Sequence, residues 1–344
     1  MWPDSRIQEV FNIDHPIVQA PMAGSSSLEM AIAVSQAGGL GSLACATLDG
    51  PGLRDLLHAA KQAGVMAFNV NFFAHVRPVS PPEADKEWLA CLAPYFKELD
   101  VQPPENLPEG SITPFDDERC AIVEEFKPAV VSFHFGLPDM KIVDRLKAAG
   151  IKVMSSATTV AEARWLEERG CDVIIAQGYE AGGHRGMFLS DDITTQVGTF
   201  SLIPQIVDVV KVPVIAAGGI ADGRGVAAAL ALGASGVQVG TAYLFTEESS
   251  LPDLYRKTLN SSPDYHTALT NVFSGRPTRC LVNRAVQELG PMSPYAASFP
   301  KGFSALAGIK AKAEQGGSRD FSVHYCGQSA ALGASTSAAE LTQN

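Results

Sequence analysis

One pattern recurs along this chain and constrains its fold more than any other feature: a helix-like segment ends in glycine, and a short apolar run follows within a few residues. Glycine readily adopts the left-handed backbone conformation that ends many helices. An apolar run without polar alternation is typical of a strand buried on both faces of a parallel sheet. The pattern occurs at Gly38, Gly64, Gly150, Gly170 and Gly233. It therefore predicts βα units in series.

Eight apolar runs qualify as the strands of these units. They cover residues 17–22, 40–44, 67–72, 130–135, 152–156, 173–176, 213–217 and 237–240. Two helix starts support this interpretation, because Thr159 and Glu162 form a T-x-x-E capping pattern and Asp222 stands where an N-cap is needed. Eight units predict an α/β fold, a closed (β/α)8 TIM barrel rather than an open doubly wound sheet.

Two segments break the pattern and are predicted to be insertions. Residues 75–118 carry eight prolines, which argues against a regular helix over most of the segment and favours an insertion near the barrel mouth. Residues 246–310 are rich in Ser, Pro and Gly and are predicted to form a second insertion of helices and loops. The two insertions together would form a lid or a small second domain.

The remaining residues are assigned to the barrel and its closure. Residues 1–74 and 119–245 are predicted to form the barrel in two parts, and residues 311–344 a C-terminal closing segment. Within that segment, the Ala/Ser-rich stretch 329–344 predicts a final helix at its start and a frayed end.

The charge balance and the cysteines limit the partners of the chain. The formal net charge is -11, so no basic stripe can neutralise phosphates, and neither nucleic acid nor a membrane surface is expected as a partner. No run of 18 or more apolar residues is present. The six cysteines contain no C-x-x-C pair, so neither a zinc site nor a disulfide framework is predicted. A cytoplasmic protein that binds a small molecule is expected.

A candidate catalytic base lies at the end of the sixth predicted strand. The sequence DVIIAQGYEAGGHRG turns from an apolar run into a glycine-rich loop in which Gly182 and Gly183 precede His184. Loops after the carboxyl ends of barrel strands carry catalysis, so His184 is predicted to be a general base. The alternative is a turn whose histidine only caps a helix. His134, at the end of the fourth strand, is a second candidate, with a buried core histidine as its alternative.

The two histidines do not predict a metal site, because no spacing supplies the further ligands that a metal would need. The other five histidines have no comparable context and are predicted to be structural. They are His15, His58, His75, His266 and His324.

Glycines at the ends of the last two strands predict a phosphate site. In many barrels the loops after strands seven and eight bind phosphate through converging backbone N–H groups. Gly218, Gly219, Gly240 and Thr241 stand where that arrangement needs them. Ordinary turns are the alternative. Neither a G-x-G-x-x-G nor a Walker sequence is present, which disfavours a Rossmann or P-loop nucleotide site.

Other strand ends could contact a flat cofactor ring. Pro21, Met22 and Ala23 follow the first strand, where exposed amides and the Met22 side chain could contact such a ring. The amides of Asn71 and Gln177 could bind its polar edge through paired donors and acceptors. A simple turn into the first helix is the alternative for residues 21–23.

These motifs together resemble the nitronate monooxygenase family, formerly called 2-nitropropane dioxygenase, which consists of FMN-dependent β/α barrels. The similar segments are PIVQAPMAG, VNFF, FHFGLP, QGYEAGGHRG, AAGGIADGRG, VQVGTAYLFTEES and FSGRPTR. FMN-dependent enoyl reductases and NAD(P)H:quinone reductases share part of them. The resemblance implies that His184 is the base and that FMN is held by Asn71, Gln177, Gly182, Gly219, Gln238, Val239, Gly240 and Thr241. It leaves Tyr255, Tyr295 and Phe299 as candidates for an aromatic substrate pocket.

The resemblance implies oxidation of alkyl nitronates, such as propionate 3-nitronate, by O2 to a carbonyl compound and nitrite. One alternative is an FMN enzyme that uses NAD(P)H to reduce an enoyl thioester or a quinone, and another is a flavin-binding barrel without turnover. The expected partners are the small substrate and O2, with a homodimer as an open alternative to the monomer.

Overall fold

The computed structural model describes residues 2–65, 67–77, 81–110, 112–261 and 265–344. Both predicted insertions include residues outside these ranges, and Pro78, one of the eight prolines counted above, is among them.

Strands and helices alternate along most of the chain. The strands are β1 (Ile17–Gln19), β2 (Gly41–Ala44), β3 (Phe68–Phe73), β4 (Val130–His134), β5 (Lys152–Ala157), β6 (Val173–Gln177), β7 (Gly183–His184), β8 (Val214–Ala217), β9 (Gly236–Val239), β10 (Thr267–Thr270) and β11 (Thr278–Leu281). The helices are α1 (Arg6–Phe11), α2 (Leu28–Gln36), α3 (Gly50–Gln62), α4 (Pro82–Glu98), α5 (Asp117–Phe126), α6 (Met140–Ala148), α7 (Val160–Glu168), α8 (Thr199–Val207), α9 (Gly223–Ala231), α10 (Asp253–Ser261), α11 (Arg284–Leu289), α12 (Lys301–Gln315) and α13 (Ala338–Gln343).

Eight parallel strands form the predicted barrel. Their order is β1-β9-β8-β6-β5-β4-β3-β2. A parallel bridge between Val18 and Leu40 joins the two ends of this sheet. There the Gln19 N–H donates to the Leu40 carbonyl at 3.0 Å, and the Leu40 N–H donates to the Ile17 carbonyl at 2.9 Å. The prediction of an α/β barrel is confirmed.

Seven of the predicted strands agree with the observed ones to within one residue at each end. The first ends at Gln19 instead of residue 22, because the chain turns into the loop that contains Pro21, which has no N–H to donate. The five predicted helix-ending glycines all have the left-handed conformation, with φ between 72° and 95°.

The two predicted helix starts also form. Asp222 accepts hydrogen bonds from the N–H groups of Arg224 and Gly225. Thr159 accepts one from the N–H of Glu162, but the Glu162 carboxylate turns to the N–H and hydroxyl of Thr158. Only half of the predicted capping box is therefore present.

The proline-rich segment contains α4, a helix of 17 residues that the proline count concealed. Pro81 and Pro82 lie at its start, where an N–H has no partner within the helix, so they favour helix initiation. Pro94 lies inside the helix. The helix forms nevertheless, and it buries the side chains of Trp88 and Leu92. Proline position, and not proline number, decides the structure of this segment.

The two predicted insertions contribute side chains to one second core, separate from the barrel core. α4 supplies Trp88, Leu92 and Phe96, and the later segment supplies residues such as Val272 and Ile309. Beside this core lies an antiparallel sheet in the order β10-β11-β7, which was not predicted. The predicted boundaries after 118 and 310 fall inside α5 and α12, and the division into domains stays a prediction. A lid function of these segments stays a prediction.

The end of the chain is helical, so the prediction of a frayed end was wrong. α13 has a complete capping box between Ser337 and Glu340, and it packs against α2. The Thr342 hydroxyl lies 2.8 Å from the Tyr243 hydroxyl. The final helix was predicted to begin near residue 329. The structure has only a single 3-10 turn there, Ala330–Leu332. The Ala/Ser-rich composition concealed that Ala338 and Thr342 are buried.

Across the part of the chain that the structure describes, we find no helix with the length and apolar character needed to span a membrane.

Candidate active site

A cavity of about 770 Å³ lies at the carboxyl ends of the barrel strands. Strand-end residues form one part of its wall. α12 and the segment 321–329 form the other part, with Phe303, Leu306 and Tyr325 among the lining side chains. The cavity therefore lies between the barrel and residues from the predicted second insertion and the predicted C-terminal closing segment.

Nearly all of the predicted site residues line this cavity. They are Pro21, Met22, Ala23, Asn71, His134, Gln177, Gly182, Gly183, His184, Gly218, Gly219, Gln238, Gly240 and Thr241. Val239 does not, because side chains alternate along a strand and that of Val239 faces the helices, where it joins the barrel core. Its assignment to the cofactor site stays a prediction.

The His184 backbone is held by two other predicted site residues. Its carbonyl accepts hydrogen bonds from His134 Nε2 at 3.0 Å and from Gln177 Nε2 at 2.9 Å. Gln177 Oε1 accepts the N–H of Gly186 at 2.7 Å. Gln177 and His134 thus fix the loop that presents His184. The sequence had not predicted this positioning role for either residue.

These contacts also fix the proton on His134. A carbonyl can only accept, so Nε2 of His134 carries the proton, and Nδ1 then accepts from the Ser156 hydroxyl at 3.0 Å. Burial lowers the pKa of His134 to about 4, so the ring is neutral near pH 7. Both ring nitrogens are therefore engaged, and neither is free to accept a proton from a ligand.

The His184 side chain has one nitrogen engaged and one without a partner. Its Nε2 lies 2.9 Å from the Ser274 hydroxyl oxygen. Ser274 also accepts the Arg276 N–H at 3.2 Å, and we assign its single proton to the Arg276 carbonyl, 3.2 Å away, which can only accept; with that assignment Ser274 accepts from His184. Nε2 of His184 then carries the proton, and Nδ1 has a free lone pair. Within the described residues Nδ1 has no hydrogen-bond partner.

The surroundings of His184 keep it neutral. Burial, together with the neighbouring His134, Arg276 and His75, lowers the pKa of His184 to about 3. The Arg276 guanidinium lies 4.4 Å from the centre of the Phe135 ring. Among the described residues, no acidic side chain forms an ion pair with Arg276. Asp191 and Glu162 act on this charge without forming an ion pair, and a positive charge near the cavity favours an anionic ligand.

His75 is buried near His184 but does not line the cavity. Only 2% of the residue is exposed, and its ring packs edge-on against Phe299 with centroids 4.9 Å apart. Neither of its ring nitrogens has a partner within the described ranges, and burial lowers its pKa to about 4. It therefore contributes shape to this wall as a neutral ring.

The loops after β8 and β9 present unpaired backbone donors to the cavity. The N–H groups of Gly219, Ile220, Gly240 and Thr241 make no hydrogen bond within the part of the chain that the structure describes. Gly219, Ile220, Gly240 and Thr241 all line the cavity. Such a group of free donors can bind an anion such as a phosphate.

The cavity also contains an unused acceptor. Gln238 Oε1 is buried without a partner in the described structure, so an N–H group of a bound ligand could satisfy it. Asn71 Nδ2 is already bonded to the Ser132 hydroxyl at 2.9 Å. Gly182 has a packing role, because a Cβ there would lie 2.6 Å from the backbone nitrogen of Gly327.

The candidate aromatic residues separate into three situations. Tyr255 lines the cavity. Phe299 lies behind its wall and packs against His184 with ring centroids 5.6 Å apart. Tyr295 is on the surface, 52% exposed.

Sequence reasoning missed Ser274 and Tyr325, because they approach His184 only through contacts between segments that are distant in sequence.

Comparisons with known proteins show the family to which the chain is similar. A family model described as nitronate monooxygenase matches residues 4–344. The chain is 42% identical over 336 residues to a nitronate monooxygenase of Paraburkholderia phytofirmans, covering 96% of this chain and 91% of that protein. It is 40% identical over 338 residues to a nitronate monooxygenase of Pseudomonas aeruginosa, covering 98% and 96%.

Solved structures give the same picture. A nitroalkane oxidase from Streptomyces ansochromogenes is similar with a TM-score of 0.88 and 36% identity, covering 98% of this chain and 96% of that one. FabK from Thermotoga maritima is similar with a TM-score of 0.72 and 30% identity, covering 98% and 93%.

Proposed function

The chain belongs to the nitronate monooxygenase family and is therefore an enzyme that oxidises nitronates, and we propose that it converts alkyl nitronates and O2 to a carbonyl compound and nitrite with FMN as its cofactor. One observation carries the proposal: His184 lines the cavity with Nε2 2.9 Å from the Ser274 hydroxyl oxygen, and Nδ1 has no hydrogen-bond partner within the described residues.

Family membership supports a flavin, and the cavity supports FMN in particular. The four free N–H groups on the loops after β8 and β9 suit a single phosphate. Gln238 Oε1 suits an N–H group on the edge of the flavin ring. When bound, FMN would supply the electron transfer between the substrate and oxygen, whereas the protein supplies position and electrostatics.

His184 would act on the α-carbon proton of a neutral nitroalkane. Nδ1 is the acceptor, and the resulting imidazolium would keep its Nε2 hydrogen bond to Ser274. A base whose pKa is lowered to about 3 abstracts a proton from carbon slowly, so a nitronate, which has already lost that proton, should be the better substrate. The nearby Arg276 charge favours the anionic form as well.

Anaerobic mixing tests the function directly. Ethyl nitronate should bleach the flavin of the purified enzyme, NADH should not, and the cofactor released on denaturation should run as FMN on chromatography. Bleaching by NADH alone would instead support an NAD(P)H-dependent reductase. Recovery of FAD would contradict the assignment of a single phosphate site.

The reductase is the second candidate because FabK is similar over nearly the whole chain. Its TM-score of 0.72 is lower than the 0.88 of the nitroalkane oxidase, and the matching family model is that of nitronate monooxygenases. Bleaching by neither donor would leave a flavin-binding barrel without turnover.

The lowered pKa of His184 predicts an unusual pH profile. An ordinary histidine base loses activity below its usual pKa of 6.5, because the ring becomes protonated. Here the neutral ring persists down to about pH 3, so kcat/KM for nitroethane should stay level between roughly pH 8 and pH 5. Rate measurements over this range test it, and a fall centred near 6.5 would contradict it.

A further inference from the structure

Tyr325 lies beside His184 because both residues pair with the same edge of β11. His184 lies opposite Thr278, and Tyr325 forms an antiparallel bridge with Cys280. Thr278 and Cys280 are two positions apart, so their partners place their side chains on the same face of the sheet. The two rings lie 5.7 Å apart between centroids. The strand pairing therefore brings Tyr325 next to the proposed base.

The Tyr325 hydroxyl is free while its backbone is fixed. The Tyr255 hydroxyl donates to the Tyr325 carbonyl, and the flanking residues bond to β11 through the His324 carbonyl and the Cys326 N–H. Among the described residues, nothing forms a hydrogen bond with the Tyr325 hydroxyl, and it is not one of the buried unpaired atoms. Because Tyr325 lines the cavity, its hydroxyl is available to a ligand there.

Three other side-chain donors at the strand ends near His184 are already engaged. His134 and Gln177 donate to the His184 carbonyl, and Asn71 donates to the Ser132 hydroxyl. Burial raises the pKa of Tyr325 well above its usual value of 10.0, so the hydroxyl keeps its proton and can donate at any working pH. A nitronate spreads its negative charge over two oxygens that need such donors.

We propose that the Tyr325 hydroxyl donates a hydrogen bond to an oxygen of the nitro or nitronate group while His184 faces the α-carbon. This inference rests on the proposed function. Tyr325 is then a substrate-binding residue, and it fixes which end of the substrate faces His184.

Tyr325→Phe tests this with the FMN-loaded enzyme, because it removes the oxygen and keeps the ring. Loss of a hydrogen bond to a charged group corresponds to about 10- to 100-fold weaker binding. We expect KM for ethyl nitronate to rise by that factor, and butyrate, whose carboxylate imitates the nitronate group, to perturb the flavin spectrum only at correspondingly higher concentration. Tyr295→Phe, on the exposed surface, is the matched control and should leave both values unchanged.

The outcomes separate this inference from the function itself. An unchanged KM for ethyl nitronate in Tyr325→Phe overturns it, as does an equal rise in Tyr295→Phe. A lower melting temperature together with an unchanged KM assigns Tyr325 a structural role only. If the wild-type enzyme binds butyrate but oxidises no nitronate, the proposed function fails, and the ratio of the butyrate Kd values still decides the role of Tyr325.

Discussion

His184→Asn should lose about 10²–10⁴-fold of its activity on neutral nitroethane and much less on ethyl nitronate. The reason is that only the neutral substrate still carries the proton that His184 Nδ1 would accept. The two substrates share the cofactor, the oxygen and the cavity, so the difference between their losses isolates the proton transfer. Steady-state rates on both, with FMN content measured in parallel, give that difference.

His134→Asn is the matched comparison for this experiment. Both nitrogens of His134 are engaged in hydrogen bonds, one of them to the His184 carbonyl, so it can position the loop but cannot accept a substrate proton. Its loss should be the same for the two substrates. An equal loss on both substrates in His184→Asn would instead assign His184 to binding, and full activity on nitroethane would remove it as the base.

FMN retention should fall by about 10- to 100-fold when either phosphate loop is blocked, as expected for a lost hydrogen bond to a charged group. In Gly240→Leu the new Cβ meets only ordinary contacts, with Ala20 Cβ at 3.4 Å and Met22 Sδ at 3.8 Å, so the barrel should fold while the side chain obstructs the free N–H groups. In Gly219→Ala the new methyl group also meets only ordinary contacts, with Glu180 Cβ at 3.6 Å, and it is attached to a residue that carries one of the free N–H groups. Equilibrium dialysis of FMN measures the effect.

Gly219→Ala needs a control for backbone strain, because Gly219 has φ 75°. Gly64 has φ 72°, ends α3 away from the cavity, and has no atom within 4 Å of the position that a Cβ would take. Gly64→Ala should therefore lower the melting temperature to a similar extent without releasing FMN. Normal FMN affinity in both Gly219→Ala and Gly240→Leu would place the phosphate elsewhere.

The barrel could be predicted from the sequence because its signals are local. A glycine such as Gly150 ends its helix through its own backbone, and a run such as 173–176 is apolar because both faces of its strand are covered. The same local logic located most of the cavity, since residues at strand ends meet at one edge of a barrel. The side chain of Val239 joins the barrel core instead of lining the cavity, because side chains alternate along a strand.

The rest of the site depends on contacts that no local pattern encodes. Ser274 forms the hydrogen bond that orients His184. It is a single serine in a loop, and no motif in the sequence marks it. Tyr325 approaches through a bridge to Cys280, and nothing in its own neighbours marks it. α4 was missed for a different reason, because its prolines were counted without regard to their positions in the helix.

The second core has a consequence for the order in which the molecule can be completed during synthesis. Its first contributors, Trp88, Leu92 and Phe96 on α4, leave the ribosome about half of the chain before partners such as Val272 and Ile309. During that interval the apolar side chains of α4 lack the residues that cover them in the folded protein. The eighth barrel strand, β9, is synthesised before Val272 and Ile309, so it can already pair with its neighbouring strands. The barrel can therefore close first. The outer wall of the cavity is completed last, because its segments are far apart in the sequence and must form contacts across that separation.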